Sequence, residues 1–349
     1  MHELAKDARP RRSRSASLLE RSRNLPRHVA AGLTASLLST TFLGLLLSDR
    51  WWVAELAANL PVQHAVAFAI LLAFAAIRKW PPLIVGATVG LLVNAAIVAP
   101  VLTTAHFGEQ PPKQPGTEQL GITFFNAKFA ADPEATARLL SRRQDDVIVV
   151  ALGSDPLVDA LRVADPDLVQ LTGPGAANAD DIELTVFVRS PGAQAVVHRV
   201  TDDRRDVLVE VELRSNSEQI RVLAAHPVSP LTARRAQRRD ALLQWITAWA
   251  TQRETPVVVV GDLNATTWSP SLQVLKSEAD LMDSQVGHGR QPSYPAMLGP
   301  LGIAIDHLLH SPEFTVIDRD LGPSLGSDHR MLHVQLAPAA ASADSDPYE

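Results

Sequence analysis

Apolar and polar positions fall into two regimes along the chain. Between Val29 and Thr104 three long apolar stretches follow one another: about Val29–Leu47, which carries no charge, about Pro61–Ile77, and about Pro82–Thr104, again uncharged. Each approaches the roughly 20 residues that cross a hydrocarbon core, so the pattern predicts three transmembrane helices. Glu55 and Pro61 limit the second towards its N-terminus. Beyond Thr104 the apolar runs shorten and alternate with polar turns. Strands are predicted at Gly121–Asn126, Asp146–Leu152, Glu183–Val188, Val207–Leu213, Gln219–Ala225, Pro256–Gly261, Ile303–Leu309 and Met331–Leu336. Helices are predicted at Asp132–Arg143, Pro156–Val163, Thr232–Thr251 and Pro270–Lys276, with Thr232 as the N-cap of the longest. Consecutive strand pairs, such as Val207–Leu213 and Gln219–Ala225, favour a mixed-sheet α/β sandwich over a strictly alternating parallel sheet.

The resulting organisation is a basic tail (1–28), three membrane helices (29–104), a linker (105–118) holding Pro111, Pro112, Pro115 and Gly116, a globular domain (119–337) and a disordered tail (338–349) rich in Ala, Ser, Asp and Pro. A cleaved signal peptide is the competing reading of the first stretch, but no small-residue cleavage pattern follows Leu47. Ser48, Asp49, Arg50, Trp51 and Trp52 read instead as an interfacial loop.

Charge gives the stretches a direction. Residues 1–104 hold eleven Lys and Arg against five Asp and Glu, a net of +6, and the remainder is net −12. Seven arginines from Arg9 to Arg27 precede the first span, Arg78 and Lys79 follow the second, and the loop between the first two spans has one arginine. The positive-inside rule therefore predicts a cytoplasmic N-terminus and an extracytoplasmic domain in the cell membrane. The acidic balance of that domain weighs against long nucleic acids as the substrate. The chain has no cysteine, so any metal is held by oxygen or imidazole.

Candidate chemistry gathers where predicted strands end. Gly261-Asp262-Leu263-Asn264-Ala265-Thr266 follows a run of valines, Ser327-Asp328-His329 precedes the last strand, and Ile305-Asp306-His307 puts a carboxylate into an apolar run. Ala225-His226-Pro227 and Asn126 end two further strands. A buried Asp needs a compensating partner, for which histidine is a natural choice. Taken singly, each cluster reads equally well as an Asx turn or a satisfied structural polar group.

As an ordered set, these residues resemble the endonuclease/exonuclease/phosphatase superfamily, over roughly Gly121 to Leu336. The attached spans resemble its membrane-anchored bacterial members. The resemblance implies a four-layer α/β sandwich of two mixed sheets flanked by helices, with the site at one edge. It further implies that Asp262 orients or deprotonates the attacking water, Asn264 holds a phosphate oxygen, His329 faces the phosphate with Asp306 behind it, and His226 meets the phosphate or leaving group. Asn126 and Asp328 would lie near a Mg²⁺ or Mn²⁺ ion. One departure stands out: the family's usual metal-binding Glu aligns with Leu152, which cannot ligate a hard cation. Asp155 would substitute if the Gly153-Ser154 turn folded back. Glu183 is a candidate partner for His226.

Outside this set, Arg234, Arg235, Arg238 and Arg239 form the dense basic cluster of the domain, either a contact for an anion or a solvated helix face. His64 and Asn94 lie within the apolar stretches, where packing or helix–helix hydrogen bonding is expected ahead of a functional site. The leading reading is a membrane-tethered, metal-dependent phosphoester hydrolase acting on a lipid headgroup, a small phosphoester or nucleic acid; the sequence names no protein partner. The alternative is a pseudoenzyme of the same fold, a binding module produced by loss of the Glu at Leu152. An accessory domain on a transporter fragment is disfavoured, because the spans hold no paired charges.

Overall fold

The computed structural model describes residues 14–107, 119–173, 183–190, 192–201, 203, 206–215 and 218–339. Most of the expected linker and almost all of the C-terminal tail lie outside these residues.

The N-terminal part consists of α1 (Arg14–Leu47), the short α2 (Trp52–Ala58), α3 (Pro61–Ile77) and α4 (Pro81–Phe107). Two segments are long and apolar enough to cross a membrane, Leu25–Leu47 and Pro81–Leu102. A third candidate is the pair α2 and α3, which meet at a 64° bend. Asn94 Nδ2 donates to Thr41 Oγ1 (3.2 Å) and Thr41 Oγ1 pairs with His64 Nδ1 (3.3 Å), so the polar residues of the apolar stretches bond one helix to another.

Among the described residues the remainder carries twelve strands: β1 (Leu120–Asn126), β2 (Val147–Ala151), β3 (Val169–Gln170), β4 (Leu184–Val188), β5 (Gln194–Arg199), β6 (Val207–Ser215), β7 (Glu218–Ala225), β8 (Val257–Asp262), β9 (Met282–Asp283), β10 (Asp306–His310), β11 (Phe314–Leu321) and β12 (Leu332–Pro338). Helices α5 (Pro133–Arg142), α6 (Asp155–Ala164), α7 (Ala233–Thr251) and α8 (Pro270–Glu278) are interspersed. One sheet has the order β11-β12-β1-β2-β4-β3 and the other β5-β6-β7-β8-β10-β9. Both are mixed: β1 runs parallel to β2 and β7 parallel to β8, whereas the other pairs are antiparallel.

Apolar side chains of both sheets meet in one core, which includes Ile122, Phe124, Val209, Val222, Val258 and Val260. The outer face of the first sheet packs on α5 and α6, and that of the second on α7 and α8. The valine run of β8 has this cause: Val258 and Val260 point to the inter-sheet core while Val257 and Val259 point to the helices, so a strand covered on both faces needs no polar alternation. Thr232 caps α7 as expected, its Oγ1 accepting from Arg235 N at 3.3 Å. Every strand and helix expected in this domain is present with boundaries shifted by a few residues; the seventh expected strand begins at Asp306 rather than Ile303.

The two parts touch. Asn59, at the α2–α3 bend, accepts from Thr266 Oγ1 (2.5 Å), Glu55 of α2 accepts from Ser269 Oγ, and Gln63 Nε2 donates to Leu301 O (2.7 Å). Arg239 of α7, fully buried, gives one nitrogen to Glu55 Oε2 (2.5 Å) and another to Asn264 O (2.9 Å).

Candidate active site

Strand pairing brings the polar ends together. β1 and β2 are parallel, as are β7 and β8, so Asn126, Leu152, His226 and Asp262 leave the two sheets at one edge. β12 and β10 run the other way and start there, delivering His329 and Asp306. Gly261 is dictated by the crowding: a Cβ would stand 1.8 Å from the carbonyl oxygen of Ala225.

At the centre lie two carboxylates and an imidazole. Asp262 and Asp306 are directly opposed across the β8–β10 ladder, an arrangement that like charges make unfavourable. His329 relieves it. Its Nδ1 bonds Asp306 Oδ2 at 2.9 Å, and its Nε2 lies 3.6 Å from Asp262 Oδ2. Burial disfavours the His329 cation, but the surrounding carboxylates outweigh it, Asp306 foremost, and raise the imidazole to about 9. Asp262 moves the other way from an ordinary carboxylate: burial and the facing Asp306 push it up, with His329 and its hydrogen bonds only partly offsetting. Burial and the His329 cation hold His226 down at about 4, so it is neutral near pH 7.

The remaining expected residues are held around this centre. Asn126 Nδ2 donates to Asp262 Oδ2 (3.1 Å), and Asn264 N donates to Asp262 Oδ1 (3.0 Å). Asn264 Nδ2 donates to Pro227 O (2.9 Å), which fixes the amide beside His226. His226 Nε2 is 3.7 Å from Asp262 Oδ2, while its Nδ1 is buried without a hydrogen-bond partner. Ser327 Oγ ties the last cluster to the first strand by donating to Asn126 O (2.7 Å). Asp328 pairs through Oδ2 with Lys128 Nζ (3.4 Å), leaving Oδ1 buried and without a hydrogen bond.

A cleft of about 360 Å³ opens on this group and is lined by Asn126, His226, Asp262, Asn264 and His329. Leu152 also lines it, in a left-handed conformation (φ 52°) that a non-glycine residue adopts only at a cost. Asp155 stands apart. The Gly153-Ser154 turn runs on into α6, with Asp155 as its exposed first residue, and Leu152 occupies the wall instead. Glu183, across the strands from Leu152, whose N–H bonds its carbonyl at 2.8 Å, lines the same cleft. His307, next to Asp306 in sequence, turns away: its ring meets Ala265 O (2.9 Å) and Asp283 (3.3 Å).

Tyr294, Lys128 and Arg235 reach the cleft from outside the strand-end clusters. Tyr294 stacks on His329 with ring centroids 4.8 Å apart. Lys128 sits beside Asp328. Arg235 enters the cleft with a buried Nε lacking a hydrogen-bond partner. The basic cluster is thus neither a single anion patch nor a solvated face. Arg238 binds Asp203 and Asp206 (both 2.8 Å), Arg239 is buried against Glu55, Arg234 is exposed, and Arg235 faces the cleft. The signal for Arg235 was its helical spacing after the Thr232 cap; Tyr294 and Lys128 offered none.

No curated protein matches the chain. Among solved structures, the endonuclease/exonuclease/phosphatase of Bacteroides vulgatus aligns over 64% of this chain and 100% of its own, with a TM-score of 0.52 and 13% identity. A functionally unknown conserved protein from Enterococcus faecalis aligns over 63% and 100%, with a TM-score of 0.51 and 13% identity. These likenesses are of fold. The model of the Endonuclease/Exonuclease/phosphatase family matches residues 85–329, a span that takes in every strand end described above, and the chain belongs to that family.

Proposed function

We propose that the protein is a membrane-tethered phosphoester hydrolase dependent on Mg²⁺ or Mn²⁺, with its catalytic domain on the extracytoplasmic side. The observation that carries this reading is the meeting of Asp262 of β8, Asp306 of β10 and His329 from the bend before β12, under a cleft floored by Asn126 and Asn264. Two buried carboxylates opposed across a ladder cost stability, and a site that handles water and phosphate gives that cost a use.

Asp262 accepts a proton from water, and the water oxygen forms the new bond to phosphorus as the ester oxygen leaves. An upward-shifted carboxylate is well matched to this, since a general base works best near the ambient pH. His329, cationic and fixed by Asp306, faces the negative phosphoryl oxygens. The amide of Asn264 and the neutral imidazole of His226 hold the phosphate and the departing oxygen. The residues fit a hard cation through the orphaned Oδ1 of Asp328 and the amide oxygen of Asn126. When bound, such an ion supplies Lewis-acid neutralisation of the phosphoryl charge.

Three crossings by α1, α3 and α4 account for the tether. The domain packs against the α1–α3 connection and continues from α4, which three crossings bring to one side; the arginines before α1 belong on the other. Leu152 favours a second reading, a binding module that has lost catalysis. The test is turnover of bis-p-nitrophenyl phosphate by the full chain in nanodiscs with Mg²⁺, with Mn²⁺ and with EDTA. Metal-dependent release of nitrophenol supports the hydrolase. No turnover, with thermal stability indifferent to either metal, supports the binding module.

A further inference from the structure

The segment between Tyr294 and Gly302 joins the catalytic histidine to the membrane helices. At one end Tyr294 stacks on His329, and Ala296 N donates to Asp328 O at 2.8 Å. At the other, Leu301 O and Gly302 O accept from Gln63 Nε2 (2.7 and 3.2 Å), in the first turn of α3. Arg290 braces this far end through the carbonyls of Pro300 and Gly302. Between these anchors the side chains are apolar and uncovered: Met297 is 90% exposed and Leu298 48%. Leu231 in the cleft wall is also exposed (60%), as is Phe129 (69%), one residue beyond the cleft-lining Lys128. Isolated exposed apolar residues need no explanation, but a set that rims one catalytic cleft marks an interaction surface.

We propose that this rim seats in the surface of the bilayer that holds α1, α3 and α4, and that the phosphoester taken by the site is the headgroup phosphoester of a lipid in that bilayer. The occupant follows from continuity. The segment is bonded to the start of α3, where an apolar helix enters hydrocarbon, so Met297 and Leu298 lie beside the membrane boundary. A soluble substrate gives apolar side chains at the mouth of a polar cleft nothing to do, whereas a lipid presents acyl chains to the rim and phosphate to the floor. Arg235 supplies the matching charge within the cleft, with its buried Nε unclaimed among the described residues. The substrate half of this inference rests on the hydrolase reading; the seating half does not.

The experiment uses the full chain in nanodiscs of equal parts phosphatidylcholine and phosphatidylglycerol. The chain lacks cysteine, so Met297→Cys and Val163→Cys, the latter exposed on α6 over the opposite sheet, each accept one bimane label. Lipids with a doxyl group at carbon 5 are expected to quench the label at 297 at least about twofold more than that at 163; equal quenching overturns the seating. In parallel, release of phosphorylated headgroup from these lipids is compared with turnover of bis-p-nitrophenyl phosphate. The double variant Met297→Glu/Leu298→Glu is expected to lower lipid turnover by about tenfold or more, leaving the soluble ester within about twofold of native. Turnover of the soluble ester with none of the lipid overturns the substrate class. Quenching at 297 with neither ester hydrolysed upholds the seating and overturns the hydrolase reading together with the lipid substrate.

Discussion

Two carboxylates on the second sheet, Glu210 in β6 and Asp262 at the end of β8, are both almost wholly buried, and their surroundings treat them in opposite ways. Glu210 receives His198 Nε2 (2.6 Å), Arg221 Nε (2.5 Å) and Trp249 Nε1 (3.0 Å). Burial alone would raise it, but these donors prevail and bring it down to about 2. Asp262 receives only an amide and a backbone N–H, with the nearest cationic nitrogen 3.6 Å away, and it is pushed up. Glu210 is saturated and needs nothing further. Asp262 is under-supplied, and the shortage is one that water, a metal ion or a substrate can make good. A buried charge that the fold satisfies is architecture, and one that it leaves wanting is where chemistry is to be sought.

Glu55 extends the comparison to the contact between the domain and the N-terminal helices. It is saturated like Glu210, by Arg239 and Ser269, but its partner also holds the carbonyl of Asn264. Glu55→Gln leaves the fully buried Arg239 guanidinium with the partly exposed Asp240 (2.7 Å) as its remaining counter-charge. The expected cost is about 3–5 kcal/mol in denaturant unfolding of the reconstituted full chain, with turnover falling as well. A loss below about 1 kcal/mol would break the grouping of Glu55 with Glu210. The domain cut from its helices would share this defect, which is why the full chain is the proper object of assay.

Glu210→Gln is expected to cost about 1.5–3 kcal/mol, because hydrogen bonds to a charged group are lost, while turnover per folded molecule stays unchanged. The pH dependence has a definite sign. The folded-state value lies below the ordinary 4.5, so the contribution of Glu210 is complete above pH 4.5 and declines as pH falls towards about 2. Acid unfolding followed by circular dichroism should therefore show a shallower loss for Glu210→Gln than for the native chain across that window. The smallest effect is at Leu152: Leu152→Glu restores an oxygen ligand at the cleft wall and should tighten Mg²⁺ by about tenfold, read as a metal-dependent rise in melting temperature. Absence of a rise would count against a cation held at this wall of the cleft.

The sheets were legible in the sequence at their centres and not at their rims. The four strands that no apolar run announced, β3, β5, β9 and β11, are the four sheet edges. β5 reads Gln-Ala-Val-Val-His-Arg with three of its six residues exposed, and β3 and β9 are two residues long, so the burial that marks a strand is largely missing. The centre of the site was legible because Asp262, Asn264, Asp328 and His329 stand in compact polar clusters after or before apolar runs. The pairing of Asp306 with His329 came from the family resemblance rather than from local pattern, and the neighbouring His307 turns to Ala265 and Asp283 instead. Tyr294 and Glu55 reach their places through contacts that local pattern cannot encode, the latter across 184 positions of chain.

The most direct test of the account is the turnover of bis-p-nitrophenyl phosphate by Asp262→Asn in the reconstituted full chain, read beside its unfolding midpoint. An under-supplied carboxylate acting as general base predicts a fall of about 10²–10⁴-fold with the midpoint unchanged or raised. Turnover within about threefold of native, or a collapse in stability like that expected of Glu210→Gln, would make Asp262 one more structural acid and contradict the assignment.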